Sequence, residues 1–266
     1  MTARVLSSVR VFLIALIAIS TTAFAAPKAE LWPYWQQSNE ANTLPINHQI
    51  WQDLLNRYLS QQDSQTLVNY RNFSDDDKWQ LDRYLRDMSK LNPLEYRKAE
   101  QFAYWVNLYN ALTVKLIVDN YPLKSITKLG GVFSFGPWND DVVTINGKTL
   151  TLNDIEHRIL RPIWQDNRIH YAVNCASLGC PNLQPHAFTA SNSDHLLNLA
   201  AKQFINSAKG VEVQANEVTL SSIYDWYASD FGNESQLEQH LNQYRTTPIK
   251  LQNVDYDYDW ALNEAK

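Results

Sequence analysis

The chain has no apolar run long enough to remain in a membrane, no excess of basic charge, no repeat, no Gly/Ser linker and only two cysteines. Each absence removes a class of protein. The run Val11 to Ile19 falls short of the roughly 20 residues of a permanent transmembrane helix, and no other stretch is long enough. No cysteine follows that run to carry a lipid. A formal net charge of −5 gives no electrostatic footprint for nucleic acid or anionic membrane. Without linkers or repeats, independently folded modules are not expected. The partners left are peptides, glycans or small molecules, and nothing in the sequence calls for a cofactor.

At the N-terminus, Arg4 and Arg10 precede the apolar run, and Ala23-Phe24-Ala25 places small residues at the two positions a signal peptidase reads. Residues 1–25 therefore read as a cleaved signal peptide. A cut one residue later would set Pro27 directly behind the scissile bond. The expected location is the periplasm or the exterior, with no permanent membrane anchor. About 240 residues remain, enough for one large domain. Nine Trp and 14 Tyr read mainly as packing residues.

The pattern is α+β: a helical extension over 26–74, then one domain over 75–266 with a long buried central helix and β-hairpins. Residues 48–60 and 76–90 have amphipathic helical spacing, and Ser74 with Asp75 to Asp77 opens the second helix. From Glu95 to Asn120, Phe102, Trp105, Val106, Tyr109, Leu112, Thr113, Leu116 and Ile117 recur at helical intervals, and Pro122 stops them. Tyr104, Lys115 and Asp119 make the wet stripe of this central helix. Asn146-Gly147 joins Val142–Ile145 to Lys148–Leu152 as a type I′ hairpin. A short helix follows, capped by Asn153 and closed by Pro162 after Arg161. Residues 168–174 alternate as a strand and lead into the loop Cys175 to Pro185. A helix over 193–208, a hairpin over 211–220, helices over 223–230 and 235–244 and a final extended segment complete the chain.

Chemistry concentrates in three places. Asn107 and Asn110 fall on an apolar face of the central helix, where buried amides must be hydrogen-bonded. They either tie the helix to neighbouring backbone or orient a catalytic imidazole. Cys175 and Cys180 share the run Asn174-Cys-Ala-Ser-Leu-Gly-Cys-Pro181. In an oxidising compartment the two could form a disulfide, while Cys175 alone could be a nucleophile held as thiolate. A metal site joining both thiolates to His157 and His170 matches no strong zinc spacing. His170 lies five residues before Cys175, so on an extended strand the two point to opposite faces and His157 is the freer base. Glu156 is about 100° from His157 around a helix and poorly placed to orient it.

Five separated blocks then resemble a known family. They are Phe102-Ala-Tyr-Trp-Val-Asn-Leu-Tyr-Asn-Ala-Leu-Thr113, Leu152-Asn-Asp-Ile-Glu-His-Arg-Ile-Leu-Arg161, Arg168-Ile-His-Tyr-Ala-Val-Asn-Cys-Ala-Ser-Leu-Gly-Cys-Pro181, Ile223-Tyr-Asp-Trp-Tyr-Ala-Ser-Asp-Phe231 and Tyr258-Asp-Trp-Ala-Leu-Asn263. In that order they are similar to the domain of unknown function 547, from about Asp75 to Asn263. The resemblance implies no established activity. It implies that Asn107, Asn110, Glu156, His157, Arg161, Arg168 and Cys175 occupy motif positions.

The expectation is a thiol-dependent hydrolase or acyl transferase. Cys175 would be its nucleophile, His157 its base, Asn107 and Asn110 its orienting amides, and backbone amides near Ala176 and Ser177 its oxyanion donors. Glu156, Arg161, Arg168 and His170 are the expected binding residues. The alternative is a non-enzymatic groove for peptide or glycan, stapled by Cys175–Cys180 and using Arg161 and Arg168 on carboxylates.

Overall fold

The computed structural model describes residues 27–131, 135–215 and 217–265. The expected signal peptide lies outside them. No helix among the described residues is long and apolar enough to cross a membrane. The chain forms α1 (Gln49–Tyr58), β1 (Leu59–Gln62), β2 (Gln65–Val68), α2 (Asp75–Lys90) and the central helix α3 (Lys98–Asp119). Ser74 caps α2 by accepting from the Asp77 amide at 3.1 Å. The hairpin of β3 (Val143–Ile145) and β4 (Lys148–Leu150) turns at Asn146 and Gly147, with φ of 51° and 70°, as the Asn-Gly signal requires.

α3 is apolar on nearly every side because it is the axis of the larger core. Trp105 is fully buried and meets Trp35 edge-on at 5.1 Å, so the N-terminal extension packs into the same core as the helix. The expected wet stripe holds at Lys115 and Asp119 but not at Tyr104. Tyr104 is fully buried, and its hydroxyl donates to the Met88 carbonyl at 2.9 Å near the end of α2.

A smaller core is built by α6 (Ser193–Ile205), the sheet β5 (Val211–Gln214), β6 (Glu217–Ser221) and β7 (Val254–Asp257), and the helices α7 (Ile223–Trp226), α8 (Ala228–Phe231) and α9 (Glu234–Tyr244). In this sheet β6 is central, antiparallel to β5 and parallel to β7. Together the elements make the mixed α+β domain that the pattern predicts.

Two expected elements are different. Residues 168–174 do not form a strand. Ile169–Ala172 is a helical turn, α5, and all of Ile169 to Asn174 is buried, so the alternation of Ile169, Tyr171 and Val173 marks no wet face. Ile169, Ala172 and Val173 join the larger core and Tyr171 the smaller, which places α5 on the seam between them.

The helix after β4 is also neither capped by Asn153 nor closed by Pro162. Asn153 is already helical, and Thr151 provides the cap: its Oγ1 accepts from the Asp154 amide, and Asp154 Oδ2 accepts from the Thr151 amide, both at 3.0 Å. The next turns widen into a π-helix, Asp154–Leu160, and the Arg161 amide donates five residues back to Glu156. Pro162 follows inside α4 (Arg161–Trp164). A residue with an N–H at 162 would donate to the carbonyl of His157 or Arg158. Here those two carbonyls accept instead from Glu30, at 2.9 Å, and Trp32, at 3.0 Å. The N-terminal strap thus satisfies what Pro162 leaves open.

Candidate functional site

The site lies where α5, the π-helix and the cysteine loop meet on the seam. Asn110 positions it from α3. Its Nδ2 donates to the Ala172 carbonyl at 2.9 Å and its Oδ1 accepts from the Asn174 amide at 2.8 Å, so one side chain brackets the backbone just before Cys175. Asn107 does the same to Phe188, donating to its carbonyl at 2.8 Å and accepting from its amide at 2.9 Å. Both amides are spent on backbone. Neither touches an imidazole, so the orienting role gives way to a structural one.

The last segment of the chain holds the loop from the other side. Leu178 donates to the Ala261 carbonyl and Gly179 to that of Asp259, each at 2.8 Å. A Cβ at Gly179 would stand 2.7 Å from the Asp259 amide nitrogen, so only glycine lets the two backbones come this close. This clamp brings Tyr258 to Cys175.

Both cysteines are free thiols, which corrects the disulfide expectation. Three polar groups converge on Cys175 Sγ: Cys180 Sγ at 2.8 Å, to which the Cys175 thiol donates, Tyr258 Oη at 2.9 Å and Ser177 Oγ at 3.2 Å, with Ser177 also donating to Tyr258 Oη at 3.0 Å. Burial works against a charge on Cys175, but its hydrogen bonds with Cys180, Ser177 and Tyr258 outweigh it and lower the thiol pKa. Burial and the neighbouring Cys175 push Cys180 the opposite way. Cys175 is therefore the more readily ionised thiol of the pair. Only Cys175 is partly exposed. The next residue, Ala176, has φ of 56°, a left-handed conformation that a non-glycine residue adopts at a cost.

His157 is not paired with Cys175. Its Nδ1 accepts from Arg161 Nη1 at 2.9 Å, and burial, aided by Arg161 against the pull of Glu156, lowers its pKa to about 4. The expected oxyanion amide of Ala176 is also taken, by Asn174 Oδ1 at 2.9 Å. Arg161 is buried and donates to Asp230 through Nε at 2.6 Å and Nη2 at 2.9 Å, and to the Pro27 carbonyl at 2.8 Å. Arg168 is bound to Asp166, Asp194 and Asn198. Both guanidiniums are thus paired with carboxylates of the protein itself.

His170 is brought in by the turn that replaces the expected strand. Its Nε2 lies 2.8 Å from Asp230 Oδ2, and its ring stacks on Tyr227 at 4.0 Å. Glu156 Oε1 stands 3.9 Å from Nδ1 of both His157 and His170. Burial opposes ionisation of Asp230, yet the bonds from His170 and Arg161 hold its carboxyl well below the usual range. Burial first, and then the charges of Glu156 and Cys175, raise the pKa of the Tyr227 hydroxyl. Among the described residues, no group of three His, Cys, Asp or Glu side chains has the arrangement to hold a metal.

Ser177, Tyr258 and Asp230 are the participants not anticipated from residue types. The available signal was membership of the motif blocks, since Ser177 stands two residues after Cys175 in one, Asp230 is next to last in another and Tyr258 opens the last.

Fold and site together define a mixed α+β domain with a hydrogen-bonded cysteine beside an imidazole–carboxylate cluster. Residues 93–205 match the family described as protein of unknown function, DUF547. That range contains Glu156, His157, His170 and both cysteines, while Asp230 and Tyr258 lie beyond it. No curated protein and no solved structure matches the chain.

Proposed function

We propose that this chain is an exported, thiol-dependent hydrolase or acyl transferase of the bacterial cell envelope, with Cys175 as nucleophile. The supporting observation is the gathering of Cys180, Tyr258 and Ser177 around the sulfur of the partly exposed Cys175, whose pKa their hydrogen bonds lower against burial. A thiolate needs no base to attack. As its sulfur bonds to the acyl carbon, the C–O or C–N bond to the leaving group breaks, and Tyr258 supplies the proton with which that group departs. Water, or an acceptor hydroxyl or amine, then cleaves the thioester and returns a proton to the Tyr258 oxygen. The non-enzymatic alternative rested on a stapled loop, whereas both cysteines are free thiols.

The test is the pH profile of iodoacetamide labelling, read by mass mapping of each cysteine. Cys175 should label with a midpoint below the ~8.5 of an ordinary thiol. Tyr258→Phe should raise that midpoint by roughly one unit, since a hydrogen bond to a charged group is worth about 1.5–3 kcal/mol. A wild-type midpoint at or above that of free cysteine would overturn the proposal.

A further inference from the structure

The Tyr258 ring is the inner end of a wall of aromatic side chains that starts at the sulfur. Its hydroxyl stands 2.9 Å from Cys175 Sγ, while its ring meets Trp260 at 4.6 Å and Trp226 at 4.8 Å. Trp226 and Trp260 lie 5.6 Å apart with planes 24° from parallel, and Trp138 and Phe135 continue the wall from Trp260 at 5.7 and 5.1 Å. Gly136, with φ of 81°, passes under the Trp138 indole, where an added Cβ would collide with the ring. All five rings keep part of their surface in solvent, and Phe135 is 41% exposed.

Polar groups on the wall select what can cover it. Asp225 and Asp257, next to Trp226 and Tyr258 in the chain, are exposed, and among the described residues neither carboxylate has a hydrogen bond or ion pair. The indole N–H groups of Trp138, Trp226 and Trp260 likewise donate to none of the described residues, and none is sealed from solvent. The wall thus offers flat apolar faces, acceptors and donors together. An alkyl chain uses only the faces, and a cation uses the faces and the carboxylates but not the N–H donors. A sugar ring uses all three, because one face of C–H groups can lie on the indoles while its hydroxyls both donate and accept.

Position shows which part of a substrate the wall holds. Tyr258 gives its proton to the leaving group, and the bond it accepts from Ser177 at 3.0 Å leaves its own proton free to point at Cys175. The leaving group therefore departs on the side of the sulfur where the wall begins. We propose that Tyr258, Trp226, Trp260 and Trp138 bind the sugar of an O-acylated glycan, so that the bond broken is an ester C–O bond and the leaving group a sugar hydroxyl. This rests on the reading of Cys175 as nucleophile. As the S–C bond forms, the C–O bond breaks and the sugar oxygen departs with the Tyr258 proton, leaving the acyl group on the sulfur.

The test uses the mature protein with cellotetraose, chitotetraose, maltotetraose and xylotetraose as probes, and choline as a cation. Binding is read from tryptophan fluorescence, and shielding of the sulfur from mass-mapped iodoacetamide labelling of Cys175. At about ten times its Kd, at least one tetrasaccharide should slow that labelling about tenfold, as mass action requires of a ligand that covers the sulfur. Trp226→Ala and Trp260→Ala should each abolish the shielding, and Trp79→Ala, which removes an exposed indole on α2, should keep it. The O-acetylated form of the shielding sugar should then acetylate Cys175 faster than ethyl acetate does, and Trp260→Ala should remove that advantage. Shielding by none of the tetrasaccharides, shielding by choline in their place, or shielding that survives both indole substitutions overturns the inference however reactive Cys175 proves. A labelling midpoint at or above that of free cysteine, with sugar binding intact, instead counts against Cys175 as nucleophile.

Discussion

Asn107 and Asn110 on one side of the site, and Glu156 and His170 on the other, are all buried polar groups within one domain, yet the fold treats them oppositely. Each asparagine pairs both ends of its amide with backbone, at 2.8–2.9 Å. The glutamate and the second imidazole nitrogen face each other at 3.9 Å without a hydrogen bond between them. A satisfied buried polar group specifies structure, whereas an unsatisfied one costs stability and persists where something else uses it. The difference divides the motif positions into those that build the site and those free to meet a ligand.

The comparison can be broken at its anchor. Asp230→Ala removes the bidentate partner of a buried guanidinium and frees His170 Nε2. Losing one partner of a buried ion pair costs about 3–5 kcal/mol, and the partial exposure of Asp230 puts the expected loss near the lower end. A denaturant midpoint within error of wild type would show that the Arg161 cluster does not hold α8 to the π-helix.

A second experiment sharpens the division. Asn110→Leu strands the Ala172 carbonyl and the Asn174 amide, and should lower stability by about 1–3 kcal/mol. Asn107→Leu should do the same through Phe188. Glu156→Gln breaks no hydrogen bond within the protein, so its stability should stay within about 0.5 kcal/mol of wild type or rise, as happens when a functional group kept at a cost is removed. If Glu156→Gln loses as much as Asn110→Leu, the carboxylate is structural and the division fails.

Much of this arrangement was legible in the sequence. The central helix, the Asn-Gly hairpin, the cap at Ser74 and the burial of both asparagines follow from periodicity and turn chemistry. What failed was reasoning from local alternation where every face is buried. Ile169, Tyr171 and Val173 alternate, yet the chain runs along the seam of two cores, so the period of two carries no direction. That error concerns the strand, and it leaves His170 among the expected binding residues with His157 as the expected base. Tyr104 was misassigned for a related reason: a hydroxyl suggests water, but a fully buried tyrosine needs only one acceptor, and the Met88 carbonyl supplies it. The partners of Cys175 were hidden by distance along the chain, since Tyr258 reaches it only through the clamp of the last segment on the cysteine loop.

The smallest expected effect tests how the π-helix begins. Asn153 has the composition of a cap and Glu156 follows three residues later, which is the pattern of a capping box. The structure moves the box two residues toward the N-terminus, because Leu152, fully buried at the start of the helix, has to enter the core. Thr151 and Asp154 exchange their hydrogen bonds there, and Asn153 Nδ2 donates instead to Asn139 Oδ1 at 2.6 Å on the surface. Thr151→Ala should therefore cost about 1 kcal/mol, within the range for losing a cap. Asn153→Ala should stay within about 0.5 kcal/mol, as for a surface change. Thermal melts of the two variants decide between the positions. If Asn153→Ala proved the costlier, the helix would start where local sequence places it, and the register that sets Glu156 between His157 and His170 would have to be redrawn.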